Sequence, residues 1–177
     1  MEEVMMRNLL KKDIAGLIAI AVIALVVIFS GCIGDKSKGI EYYNDAMFCW
    51  NEVNTAMLHT IQGDDFNYNQ VLYQLHDVRG LLQKSKEAFI SAGEEDWVLF
   101  VDARIDEVDG DIAFYTAFNS GEAAYFINNA KHFYSQSLEK LKMLLELYPT
   151  FEERSLVIDA INSSEKQIEA CNSLLGA

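Results

Sequence analysis

The chain has 177 residues, 51% of them hydrophobic, and a formal net charge of −13. Arg7, Lys11 and Lys12 offset Glu2, Glu3 and Asp13, so the net charge falls wholly on the remainder, with its 11 basic and 24 acidic residues. A body this acidic excludes a general electrostatic grip on the nucleic-acid backbone, which needs a basic surface, and argues against an electrostatic hold on anionic lipid heads.

The first predicted element is apolar. Ile14 to Gly34 is a run of 21 residues without a charge, and its core, Ile14–Phe29, follows Arg7, Lys11 and Lys12 and leads into small residues. This is the layout of a secretory signal. The full run would also cover roughly 31 Å as a helix, enough to span a bilayer. Hydropathy alone therefore leaves two readings open, a cleaved signal and a retained single-span anchor. Three Lys or Arg residues precede the run and two, Lys36 and Lys38, follow it, so the positive-inside bias directs the body out of the cytoplasm by a thin margin.

The run ends Phe29-Ser30-Gly31-Cys32. This resembles the lipobox of prokaryotic lipoproteins, and the Ser-Gly-Cys-Ile-Gly stretch is similar to lipoproteins of methanogenic archaea. Phe29 stands where leucine is commonest in that motif. The resemblance covers about the first 38 residues. It implies lipidation of the Cys32 thiol and cleavage before it, with residues 33–39 as a tether and 40–177 as an extracytoplasmic helical domain. Each buried lipid CH₂ contributes roughly 0.8 kcal/mol, so two chains on Cys32 would anchor the protein stably.

Beyond Lys38, chain breakers fall at Gly39, Gly63, Gly93, Gly121 and Pro149. Between them apolar residues recur at helical spacing, and no stretch alternates like a strand. The spacing predicts five helices of about 22 to 27 residues, an all-α, up-and-down bundle behind the N-terminal segment. The first carries Ile40, Tyr43, Met47, Trp50, Met57 and Ile61, with Asn54 as a polar seam position. The second opens at Asp64 or Asp65 and presents Tyr68, Val71, Leu75, Val78, Leu82 and Phe89. The third places Val98, Val101, Ile105, Val108, Ile112 and Tyr115 on one face and Glu95, Asp102, Asp106 and Asp109 on another. The fourth, with Asn119 and Ser120 as cap residues, presents Ile127, Ala130, Tyr134, Leu138, Leu141, Leu145 and Tyr148. The fifth follows Pro149 with Thr150 and Glu153 in capping-box spacing, and its seam is Val157, Ile161, Ser164, Ile168, Cys171 and Leu175.

Gly80 and Gly110 fall inside the second and third helices, as close-packing points, kinks or breaks. Real breaks would favour a short helical repeat. Ser137–Pro149, SLEKLKMLLELYP, resembles the second helix of a tetratricopeptide repeat, but no 34-residue period recurs.

Candidate chemistry is sparse. Residues three before His59, His76 and His132 are Ala56, Tyr73 and Asn129, so the Glu-x-x-His pairs of a dimetal bundle are missing. Asp102, Asp106 and Asp109 share a helical face and are the weak metal candidates. The competing reading is the solvent face of an acidic helix. Cys49 and Cys171 remain once Cys32 is assigned to lipid. Either they join the first and last helices by a disulfide, worth about 4 to 5 kcal/mol in the chain-entropy picture, or they are two buried thiols. Phe114, Tyr115, Phe118, Tyr125 and Phe126 crowd the third and fourth helices as a candidate ligand or partner surface, against the plainer reading of core filling.

No nucleophile elbow, P-loop or dinucleotide fingerprint occurs. No cofactor is expected, and a non-enzymatic role is favoured. The expected function is that of a membrane-anchored lipoprotein with an envelope-facing binding module and an unidentified protein partner. The alternative is a ligand- or metal-binding bundle with enzymatic potential.

Overall fold

The computed structural model describes residues 34–60 and 67–176. They form five helices: α1 (Asp35–Thr60), α2 (Tyr68–Ala92), α3 (Glu95–Asn119), α4 (Ala123–Leu147) and α5 (Arg154–Leu175). At 1.5 Å per residue these run roughly 33 to 39 Å. The apolar spacing explains them. In α2, Val71, Leu75, Val78, Leu82 and Phe89 are buried at steps of four, three, four and seven, one side of a 3.6-residue helix.

The connections make the neighbours antiparallel. After α2, Gly93 adopts φ 74°, a left-handed conformation that suits glycine. Its N–H donates to the Ile90 carbonyl and the Glu94 N–H to the Phe89 carbonyl, both at 3.1 Å, closing a Schellman motif and reversing the chain. After α4, Pro149 prevents continuation and Phe151 turns inward, 5.3 Å from the Trp97 ring and 5.6 Å from Phe100.

Each helix packs on its neighbours in sequence, and α3 also meets α5. The result is the up-and-down bundle with α3 at its centre. The larger core cluster joins all five helices around Tyr43, Phe89, Trp97, Phe100 and Phe151. A smaller one at the opposite end joins Ala113, Ala117, Ile127, Ala130, Tyr134 and Cys171.

Several sequence expectations need correcting. α1 begins at Asp35, so Gly39 is no break and the expected tether is helical from Asp35 onward. Gly39 is buried, a Cβ there would lie 2.9 Å from the Phe89 ring, and its carbonyl accepts a 2.7 Å hydrogen bond from Ser85. That close approach is what the glycine serves. α2 is capped by Asn67, whose side chain accepts from the Gln70 N–H at 3.1 Å. The expected capping box at Thr150 and Glu153 does not form: Glu153 occupies the cap position of α5 without a side-chain hydrogen bond. α2 and α3 run unbroken through Gly80 and Gly110. α4 runs unbroken from Ala123, so the turn that a tetratricopeptide unit needs before Ser137 is missing. Cys32 and the whole signal or anchor segment lie outside the described residues, as do Ile61, Asp64 and Asp65.

Candidate functional site

Asp102, Asp106 and Asp109 of the α3 stripe are partly shielded and engaged by the flanking helices. Asp102 pairs with Lys86 of α2 and, at 2.6 Å, with Lys140 of α4. Lys140 also reaches Asp106 at 2.7 Å. Asp109 accepts a forked pair of hydrogen bonds from Arg79 of α2, at 2.6 and 3.2 Å. The carboxylates tie α3 to both flanking helices, a role the α3 sequence by itself conceals. Burial pushes Asp102 up, but hydrogen bonds from Lys140 and Lys86 outweigh it and hold the carboxyl below its ordinary value. Asp106 is raised by burial, offset only in part by Lys140. Among the described residues, no group of three His, Cys, Asp or Glu is placed to hold a metal ion.

The two thiols are also apart. Cys49 is half-buried on α1, packed against the larger cluster, and Cys171 is buried in the smaller one; both are free thiols, the second of the two arrangements the sequence left open. Burial raises both thiols, with Glu52, Asp45 and Asp77 adding to the effect at Cys49.

The aromatic candidates separate into two groups. Tyr115 packs against the larger cluster and belongs to the interior. Phe114 and Phe126 are half-buried and lean on the smaller cluster. Phe118 and Tyr125 are 50% and 61% exposed, which places them on the surface. Phe118 contacts Phe114 at 5.2 Å and stacks on Tyr68 at 6.1 Å; Tyr125 meets Phe126 at 5.3 Å. These rings surround the α3–α4 turn. Because the helices alternate in direction, that turn lies at the far end of the bundle from Gly34.

Sequence reading missed the most unusual polar site. Asp111 of α3 is buried and accepts from Trp50 Nε1 of α1 at 2.9 Å and from the Tyr134 hydroxyl of α4 at 2.7 Å. One and two turns earlier on the same face, buried Glu107 pairs with Arg104, whose guanidinium lies 4.5 Å over the Trp50 ring. Gly110 makes room: a Cβ there would come within 2.5 Å of the Tyr134 ring. Burial pushes the Asp111 carboxyl up to about 7, the hydrogen bond from Tyr134 opposing it and the charge of Glu107 reinforcing it. Burial likewise raises Glu107, opposed by the charge of Arg104 and by a hydrogen bond donated from Ser163 of α5. The readable signal was the spacing of Arg104, Glu107 and Asp111, three then four residues apart, in a helix with apolar residues between them.

No protein-family model, no curated protein and no solved structure matches this chain. Among the described residues, no helix is long and apolar enough to cross a membrane.

Proposed function

We propose that this protein is a membrane-anchored lipoprotein whose acidic helical body acts outside the cytoplasm by binding a protein partner. The observation that carries the anchor is the Phe29-Ser30-Gly31-Cys32 sequence at the end of a 21-residue uncharged run. Lys and Arg residues in excess on its amino-terminal side support the outward orientation of the body. Lipid on Cys32, or the uncharged run itself, supplies the membrane contact.

The partner surface is the far end of the bundle, where Phe118 and Tyr125 are exposed beside half-buried Phe114 and Phe126. Exposed aromatic rings on a rigid base lose little entropy on docking, which makes them effective interface anchors. The competing metal-binding role has less support, because Asp102, Asp106 and Asp109 are already neutralised by Lys86, Lys140 and Arg79.

Photo-crosslinkers placed at positions 118 and 125 in native membranes test the surface. The expected result is one shared crosslinked species from both positions, absent at the exposed α5 position Glu165. Crosslinking at Glu165 alone, or none at 118 and 125, contradicts the surface assignment.

A further inference from the structure

The interior between α1, α3, α4 and α5 holds two carboxylates and one guanidinium. Arg104 is committed to Glu107 and stacked on Trp50. Asp111 has only neutral hydrogen-bond donors, Trp50 and Tyr134, and among the described residues no cation lies within ion-pair distance of it. The other ionisable groups facing this site are Tyr115 on α3, Tyr134 on α4 and Cys171 on α5. Tyr43 of α1 faces Glu107 and Arg104. Burial raises all four of these, so they stay neutral around neutral pH. The balance therefore rests on Arg104, Glu107 and Asp111. With both acids ionised, the closed interior carries an unpaired negative charge; with one proton on Asp111 it carries none.

We propose that Asp111 is a proton-operated latch that holds α1 against α3 and α4 through Trp50 and Tyr134, closed when the carboxyl is protonated and loosened when it ionises. In the protonated state, Oδ2 still accepts from the Trp50 indole N–H. The proton on Oδ1 is donated to the Tyr134 oxygen, reversing that hydrogen bond. On release, the Asp111 O–H bond breaks and the proton passes to solvent base, leaving a charge whose desolvation cost is relieved only if water reaches the site. Among the described helices α1 packs mainly on α2, and Trp50 is the α1 side chain that reaches Asp111, so α1 is the element released from α3 and α4. The elevated acidity range of Asp111, about 7, sets where the change occurs.

The test uses the full-length protein in detergent micelles with ¹⁵N-labelled tryptophan. The chain has two tryptophans, Trp50 and Trp97, so the indole spectrum is simple to assign. The Trp50 indole N–H should titrate with a single midpoint near 7. Hydrogen-exchange protection of α1, corrected for the intrinsic pH dependence of exchange, should fall about tenfold per pH unit below that midpoint and level off above it. Asp111→Asn should abolish both trends, because the amide reproduces the neutral form. Glu107→Gln removes the like charge and should lower the midpoint, which gives a second reading if Asp111→Asn does not fold. A flat Trp50 signal, a titration that survives Asp111→Asn, unchanged α1 protection alongside a titrating Trp50, or an unmoved midpoint in Glu107→Gln each overturns the latch.

Discussion

Tyr134 of α4 packs against Gly110 of α3, so close that a Cβ at Gly110 would fall 2.5 Å from its ring, and from there its hydroxyl reaches Asp111 at 2.7 Å. The glycine is thus a packing requirement, not a turn. Gly110→Ala should destabilise the bundle by about 1 to 3 kcal/mol, overpacking outweighing a helix-propensity gain of up to about 1 kcal/mol. Gly80 meets nothing within 4 Å, so Gly80→Ala should gain up to about 1 kcal/mol. Urea unfolding followed by circular dichroism distinguishes the two; equal and same-signed effects would contradict the packing argument.

Asp111 gives the stability a specific pH dependence. Its folded-state value, about 7, lies above the ordinary 3.8, so the folded protein holds the proton more tightly than the unfolded chain. The contribution is fully present below 3.8 and is lost as pH rises through 7. Asp111→Asn should therefore be more stable than the natural protein above pH 7 by on the order of 1 to 3 kcal/mol, the difference shrinking toward acidic pH. Thermal unfolding of both proteins across that range checks the sign.

The Asp102 cluster should respond in the opposite direction. Its carboxyl is held below the ordinary 3.8 by Lys140 and Lys86, against the upward push of burial. Its stabilisation is present above 3.8 and lost as pH falls through its lower folded-state value. Asp102→Asn should cost about 1 kcal/mol at neutral pH, a modest figure because solvent reaches and screens the cluster, and less in high salt. Unfolding measured at two ionic strengths tests it, and an equal loss at both would argue against an electrostatic role.

Phe151 closes the α4–α5 connection by filling the core between Trp97 and Phe100, and it is only 4% exposed. Phe151→Ala should cost about 3 to 5 kcal/mol, the range for emptying a buried phenylalanine site. The same substitution at Phe118, half exposed, should change stability by less than about 1 kcal/mol. Parallel denaturation curves of the two variants make the comparison.

The five helices were legible because their burial follows one periodic stripe in α2, α4 and α5, and because Gly93, Gly121 and Pro149 stand at real turns. α3 was legible only as a helix. Its buried residues include Trp97, Phe100, Ala103 and Glu107 as well as the expected Val101, Ile105 and Val108, because a central helix is covered from several sides. A single apolar face was therefore the wrong template, and the acidic stripe opposite it became an interhelical seam once Lys86, Lys140 and Arg79 were in place. Gly39 misled for a related reason. A glycine reads as a breaker in one dimension, whereas its partner, Phe89, is 50 residues away in sequence. The Trp50–Asp111–Tyr134 cluster draws one residue from each of three helices, so the spacing of Arg104, Glu107 and Asp111 along α3 could signal the polar residues but not their partners on α1 and α4.

The anchored-lipoprotein account is tested most directly by the intact mass of the protein purified from its native membrane. The account predicts a chain beginning at Cys32 whose mass exceeds that of residues 32–177 by a lipid group on the thiol. An intact, unmodified Met1–Ala177 chain would contradict it.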